Sequence, residues 1–248
     1  MGLYADDTAT SVCAPTKDEL ITKLEEDANR ILKYMASNSL SANPNKTGFL
    51  LIRTKQSEPR EVQVGDAVIR EKDCHKILGI SVNNTLSWNN HVNGLIPSIN
   101  GRIGSLRRIS QRVPMVYLPQ IASAIVASKI RYGIAIYGSV RLSESDPIQT
   151  HYRSLQVALN NAMRVASGRR RSERVKISEL CKITKMQSVN RMSASEKLAL
   201  VWSSQNSSKS PLANVFRKQT RNIMSSRAVA REDLASAAKS EFSRRNII

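Results

Sequence analysis

The chain has 248 residues, 41% of them hydrophobic and 4% aromatic, and carries a formal net charge of +18 at pH 7. That length and apolar share suffice for a buried core in one or two domains, and with no uninterrupted apolar run of spanning length the composition excludes a helical membrane protein. No basic region followed by an apolar core opens the chain, and Cys13, Cys74 and Cys181 are odd in number and unpaired in spacing, which argues against a secretory signal, a disulfide scaffold and a zinc site.

Taken in chain order, Tyr4-Ala5-Asp6-Asp7 stands first, between Gly2-Leu3 and Thr8-Ala9-Thr10. Two adjacent carboxylates at a strand turn suit a hard cation such as Mg²⁺, which takes oxygen ligands; a solvated hairpin tip is the plainer alternative. Next, Thr16-Lys17-Asp18-Glu19 has capping-box spacing. Leu20, Ile21, Leu24, Ala28, Ile31, Leu32 and Met35 then recur at helical intervals, predicting an amphipathic helix that covers one face of a sheet. Asn43-Pro44-Asn45 ends it, Lys46 sits at the junction, and residues 47–53 read as a strand with Phe49 and Leu51 on one face. Residues 61–64 and 67–69 flank Gly65-Asp66 as a small hairpin. Residues 75–82 read as one further strand containing Gly79 and ending at Asn83-Asn84. Cys74 beside His75 reads as a partly buried strand position rather than a metal or nucleophile site. Trp88 reads as a core anchor at the start of the next helix, with base stacking as its alternative.

From Val92 the period becomes helical, with Leu95, Ile96, Ile99, Ile103, Leu106 and Ile109 on one stripe and Arg102, Arg107, Arg108 and Arg112 largely off it. Pro97, Gly101 and Gly104 predict a kink or interruption. Pro114 and Pro119 punctuate the next connection, residues 121–137 read as a buried helix pair, and residues 143–147 as a linker. Residues 151–166 form a further helix that Gly168 caps, ahead of Arg169-Arg170-Arg171. That cluster, with Arg174 and Lys176, fits RNA binding, a nuclear-targeting run or a solvated charged loop. Beyond Ser203 the periodicity weakens, predicting loose helices or disorder.

Three stretches in order carry a family resemblance: Tyr4-Ala5-Asp6-Asp7; Leu40-Ser41-Ala42-Asn43-Pro44-Asn45-Lys46-Thr47-Gly48-Phe49-Leu50-Leu51-Ile52; and residues 76–92, opening Lys76-Ile77-Leu78-Gly79-Ile80. The order resembles non-LTR (LINE-like) retrotransposon reverse transcriptases, closely to Val92 and more loosely to Gly168. The resemblance implies an α+β fold: a partial reverse-transcriptase palm of antiparallel strands plus a helix, followed by an all-α thumb and a C-terminal helical region. It implies Asp6 and Asp7 as catalytic Mg²⁺ ligands and Lys46 near the pyrophosphate leaving group, a place that a solvated loop lysine would also occupy. Leu78, Gly79 and Ile80 would belong to a primer grip, and the thumb arginines would track an RNA template and DNA primer duplex while deoxynucleotides are added. Asn83 stands where members often have aspartate. Another metal-binding aspartate and the fingers lie upstream of the aspartate turn in such enzymes, so the chain reads as a C-terminal segment that is inactive by itself.

Charge is divided unevenly. Residues 1–100 contain 11 Lys or Arg against 12 Asp or Glu, whereas residues 101–248 contain 27 against 8. The excess is the footprint of a polyanion partner, and few aromatics point to contacts with backbone and duplex shape. The expected organisation is a partial palm (1–90), thumb-like helices (91–142), a basic helical extension (143–205) and a loosely helical or disordered tail (206–248). Two functions follow: the C-terminal fragment of an RNA-directed DNA polymerase, or a catalytically inactive basic nucleic-acid-binding remnant. Either is expected inside the cell, nuclear or cytoplasmic, away from membranes.

Overall fold

The computed structural model describes residues 2–4, 7–43, 45–52, 60–138 and 150–206. The fold is mixed α+β, and its contacts divide the chain into two compact units, Met1–His91 and Val92–Ile248.

The first unit holds every described strand. Strands β1 (Gly2–Tyr4) and β2 (Asp7–Ala9) pair antiparallel, with Tyr4 opposite Asp7. Helix α1 (Lys17–Ser37) starts where its cap spacing indicates: the Glu19 N–H donates to Thr16 Oγ1 at 3.4 Å, satisfying one of the N-terminal amides. Its apolar stripe is half-buried, and none of its residues is fully buried. The helix lies along a hairpin of β3 (Glu61–Val64) and β4 (Ala67–Arg70), whose turn at Gly65-Asp66 matches the sequence reading. Glu25 and Asn29 side chains accept from the Gln63 and Gly65 amides at 2.9 and 3.0 Å, and Val62 on the same strand is buried.

Two strand readings need correction. Across residues 47–52 only Phe49 pairs, in a single parallel bridge to Glu71, with the Lys72 N–H donating to Phe49 O at 3.0 Å; Arg53 lies outside the described residues. Residues 75–82 are two strands, β5 (Cys74–Ile77) and β6 (Ile80–Asn83), folded back at Leu78-Gly79. Both turn residues have positive φ, 47° and 83°, the condition for a two-residue turn that follows the strands' own twist. Gly79 therefore makes the turn rather than interrupting a strand. Nor do the described strands form one palm sheet, for they make three separate two-stranded ladders.

Among the described residues of the second unit every regular element is helical. Helix α2 (Asn89–Ser110), which begins at the end of the first unit, runs through Pro97 without interruption, so of the expected kink or interruption the second does not occur, and it buries Val92, Leu95, Ile99, Ile103 and Leu106 on one stripe. After a 3₁₀ turn (Met115–Tyr117) come α3 (Leu118–Ala122), a π turn (Ser123–Ala127) and α4 (Ser128–Arg131). Gly133, at φ 71°, breaks this path and starts α5 (Ile134–Tyr137). The expected helix pair is thus a longer, bulged helix followed by a single turn. Tyr137 is buried and its hydroxyl donates to the Ile130 carbonyl, tying the two pieces together.

Helix α6 (Thr150–Ala166) supplies the middle of this core through Leu155, Leu159, Ala162, Met163 and Ala166, and it packs against α3, α7 (Ile177–Thr184) and α8 (Val189–Asn206). Burying side chains of the size of Leu159 and Met163 stabilises by ~1.5–3 kcal/mol each. Gln156 Oε1 accepts from the Val189 amide at 2.8 Å, so a polar residue on α6 serves the start of α8. At the other end of α6, Gly168 at φ 66° is the expected cap. Its amide donates to Val165 O and the Arg169 amide to Arg164 O, at 3.3 and 3.0 Å, the paired bonds of a Schellman ending.

Candidate nucleic-acid interface

The aspartate hairpin belongs to the first unit. The Tyr4 to Asp7 pairing places Asp7 at the end of the β1–β2 ladder with its side chain exposed, as a hard oxygen donor open to solvent. Asp6 lies outside the described residues. Among the described residues no group of three or more His, Cys, Asp or Glu side chains is gathered for a metal. Asp7, with Asp6 beside it in sequence, is the kind of donor that fits part of a Mg²⁺ shell, whose remaining ligands are waters and phosphates.

Lys46 is exposed in a turn where its amide, like that of Thr47, donates to Asn43 O at 3.1 Å. Leu78, Gly79 and Ile80 stand at the tip of the β5–β6 hairpin: Leu78 and the preceding Ile77 are exposed apolar residues, while Ile80 is buried. The hairpin is held from below. Buried His91 accepts from the Ser81 amide through Nδ1 at 3.3 Å, which requires that nitrogen to be unprotonated. Asn83 Oδ1 accepts from the Ser87 amide at 2.6 Å just ahead of α2. An aspartate there would offer the same acceptor, so either residue keeps the turn chemistry. Cys74 and Trp88 are half-buried.

The arginines belong to the second unit. Arg102, Arg107, Arg108 and Arg112 lie on or just after α2; Arg102 Nη1 donates to Ile125 O at 2.9 Å and Arg108 Nη2 to Ser105 Oγ at 3.0 Å, and all four are exposed. Arg169, Arg170 and Arg171 are exposed on the loop after α6. Far apart in sequence, the end of the first group and the start of the second are brought together by one packing contact. The thioether end of Met115 lies against Gly168, so close that a Cβ there would meet Met115 Cε at 2.6 Å. Three residues of chain reach at most ~11 Å, which keeps the Arg112 backbone within that distance of Met115, itself packed beside the start of the triple arginine. The result is a basic edge formed by Arg112 and the triple arginine, near exposed Met115, Val116 and Tyr117.

Glu173 organises the loop part of this edge. Its carboxylate accepts from the Arg170 amide at 2.7 Å and pairs with Arg169 at 3.0 Å, capping the single turn Arg171–Glu173. The backbone hydrogen bond from Arg170, then that from the Arg169 side chain, hold its carboxyl below the ordinary carboxylate range. Arg169 is thus already partnered, leaving Arg170 and Arg171 to reach outward. Along α2 the charge is one-sided, for no Asp or Glu occurs anywhere in residues 74–143. A phosphate approaching α2 would meet no repulsion from that stretch of chain.

Reading the sequence alone missed Met115 as the residue packed against Gly168 and Glu173 as the organiser of the triple-arginine loop. The Arg-Ser-Glu spacing after Arg170 was a signal for the second; nothing local signalled the first. No known protein-family model matches the chain, and no curated protein or solved structure matches it.

Proposed function

We propose that this chain is the C-terminal segment of an RNA-directed DNA polymerase of the non-LTR retrotransposon kind, carrying its aspartate hairpin, primer grip and thumb, with two-metal nucleotidyl transfer belonging to the intact enzyme. The observation that carries the reading is the antiparallel pairing around Tyr-Ala-Asp-Asp, with Tyr4 opposite Asp7, followed in order by Lys46, a tight hairpin at Leu78-Gly79 and a helix faced with arginines. In this reading the finer architecture is a partial palm leading into a helical thumb.

Each residue then has a role. Asp6 and Asp7 would hold Mg²⁺ together with a carboxylate of the intact enzyme, and the ions supply charge stabilisation for the displaced phosphate. Lys46, on an exposed turn, sits near the leaving group. The β5–β6 tip, with its apolar Ile77 and Leu78, positions a primer end. Arg102, Arg107, Arg108, Arg112, Arg169, Arg170 and Arg171 bind the phosphates of a template–primer duplex without reading its sequence.

The excess of positive charge in residues 101–248 favours a second reading, a basic nucleic-acid-binding remnant without catalysis. Primer extension on an RNA template, with Mg²⁺ and deoxynucleotides, separates the two. Extension abolished by Asp6→Asn supports the polymerase reading. Salt-sensitive duplex binding that Asp6→Asn leaves unchanged, with no extension even when an upstream palm-and-fingers segment is supplied, supports the remnant. A chain that neither extends a primer nor binds duplex nucleic acid refutes both.

A further inference from the structure

The pattern Arg-Arg-x-Ser occurs twice in the chain, as Arg107-Arg108-Ile109-Ser110 and as Arg169-Arg170-Arg171-Ser172. A serine with arginines two and three positions before it is what arginine-directed protein kinases take, because two guanidinium forks pair with carboxylates of the kinase while the hydroxyl meets the catalytic base. In sequence the two are equivalent; in the structure they are not.

Ser110 ends α2, is half-buried, and donates to Arg107 O at 2.8 Å. Presenting it would require unwinding the last turns of a 22-residue helix whose Leu106 is fully buried. Ser172 is exposed, on a one-turn element in the loop between α6 and α7. Arg170 is already extended (φ −80°, ψ 155°), and the turn that follows is held by the Glu173 cap. Opening it exposes no core, because Arg171, Ser172 and Glu173 are all exposed.

We propose that Ser172 is a phosphorylation site for an arginine-directed serine kinase, and that its phosphorylation weakens polyanion binding at the basic edge; the second half rests on the nucleic-acid reading of that edge. The γ-phosphoryl group of a nucleoside triphosphate moves to Ser172 Oγ. The new Oγ–P bond forms as the bond from the γ-phosphorus to the β–γ bridging oxygen breaks, nucleoside diphosphate leaves, and the hydroxyl proton passes to the kinase's base. The product adds ≈ −1.5 to −2 charge at pH 7 among Arg169, Arg170, Arg171, Arg174 and Lys176, all within four residues of it. Beside Glu173 the phosphate also competes for Arg169, loosening the grip that shapes the loop. The guanidiniums then pair inward with the phosphoserine rather than outward with nucleic-acid phosphate.

The test uses the full chain, the catalytic subunit of an arginine-directed serine kinase and ATP–Mg²⁺, with the site mapped by mass spectrometry. Phosphate should enter Ser172 at least tenfold faster than Ser110, and Arg169→Gln/Arg170→Gln should slow it at least tenfold. Preference for Ser110, or no phosphate at Ser172, overturns the proposal. Binding of a 20-base-pair duplex is measured across a salt series before and after. Losing one to two phosphate contacts should flatten the log–log salt slope by about one to two units and weaken binding about tenfold at 0.1 M salt, while kinase-treated Ser172→Ala stays at the untreated value. Unchanged binding after complete Ser172 phosphorylation refutes the regulatory half. Absence of duplex binding before kinase is added refutes instead the reading of the edge, and the two failures are separated by that first measurement.

Discussion

Gly138→Ala is the sharpest single test of how the second unit is packed. Gly138 closes α5 with φ −73° and ψ 145°, a conformation open to any L-residue, so no backbone strain accompanies the change. The cost is steric. A methyl group at this position would fall on the Ile134 carbonyl oxygen and Ser193 Oγ, and within 2.6 Å of Tyr152 Oη. Ser193 and Tyr152 are buried, and the Ile134 carbonyl is backbone that already accepts from the Gly138 amide at 2.8 Å, so no flexible side-chain end can swing aside to make room. Overpacking of this kind costs ~1–3 kcal/mol, and overlap with backbone puts the change at the upper end, about 3 kcal/mol. At roughly 2–4 °C per kcal/mol for a chain of this size, the melting temperature should fall by about 6–12 °C. Gly101→Ala is the control, since Gly101 lies in the interior of α2 and a methyl added there would meet no atom within 4 Å; the loss of glycine's backbone freedom should raise the melting temperature by about 2–4 °C. Both are read by circular dichroism or calorimetry. A Gly138→Ala protein melting within about 2 °C of the parent would refute the packing of Gly138 against Tyr152 and Ser193, and a Gly101→Ala protein that falls as far as expected for Gly138→Ala would refute the steric origin of the loss.

Other consequences concern charge and turns. Burial, and then the neighbouring Tyr152, raise the Tyr137 pKa far above the tyrosine norm of 10. The unfolded chain loses this proton first, so the stabilisation is complete below pH 10 and declines above it by up to ~1.4 kcal/mol per pH unit; Tyr137→Phe should remove that part of the slope in an alkaline unfolding series. Glu173 has the opposite sign: its lowered pKa means the Arg171–Glu173 turn is fully stabilised above the ordinary carboxylate range and that stabilisation is lost as pH falls from there through the lowered value, which the Arg170 amide resonance should report by NMR. Asn83→Ala should cost ~1 kcal/mol by orphaning the Ser87 amide while Asn83→Asp stays near the parent, a difference measurable by urea denaturation. Gly79→Ala forces an L-residue to φ 83° and should cost ~1–2 kcal/mol in the same assay; a neutral result would mean the Leu78-Gly79 turn is built otherwise.

What could be read from the sequence was what local chemistry decides. Thr16 capping α1, the Gly65-Asp66 turn, the apolar stripe of α2 and the Gly168 ending of α6 each depend on residues within one or two turns of one another, and each was found where its signal lay. The failures share a cause as well. Residues 75–82 have a strand's composition throughout, and only the handedness of two consecutive residues makes them a hairpin; Leu78 is an unusual choice for positive φ, so the signal rested on Gly79 alone. Pro97 failed to break α2 because the buried stripe before and after it outweighs one lost backbone bond and a ring clash worth about 3 kcal/mol. For the candidate site, every arginine was visible as a letter, yet the approach of the triple arginine to Arg112 depends on Met115 meeting Gly168, a packing event between segments more than fifty residues apart that leaves no periodic trace. The same division separates the two Arg-Arg-x-Ser runs. Identical in pattern, they differ because one serine is locked into the end of a helix and the other stands on an exposed turn held by a single glutamate. Position in the fold, rather than residue type, decides which serine a second protein can reach.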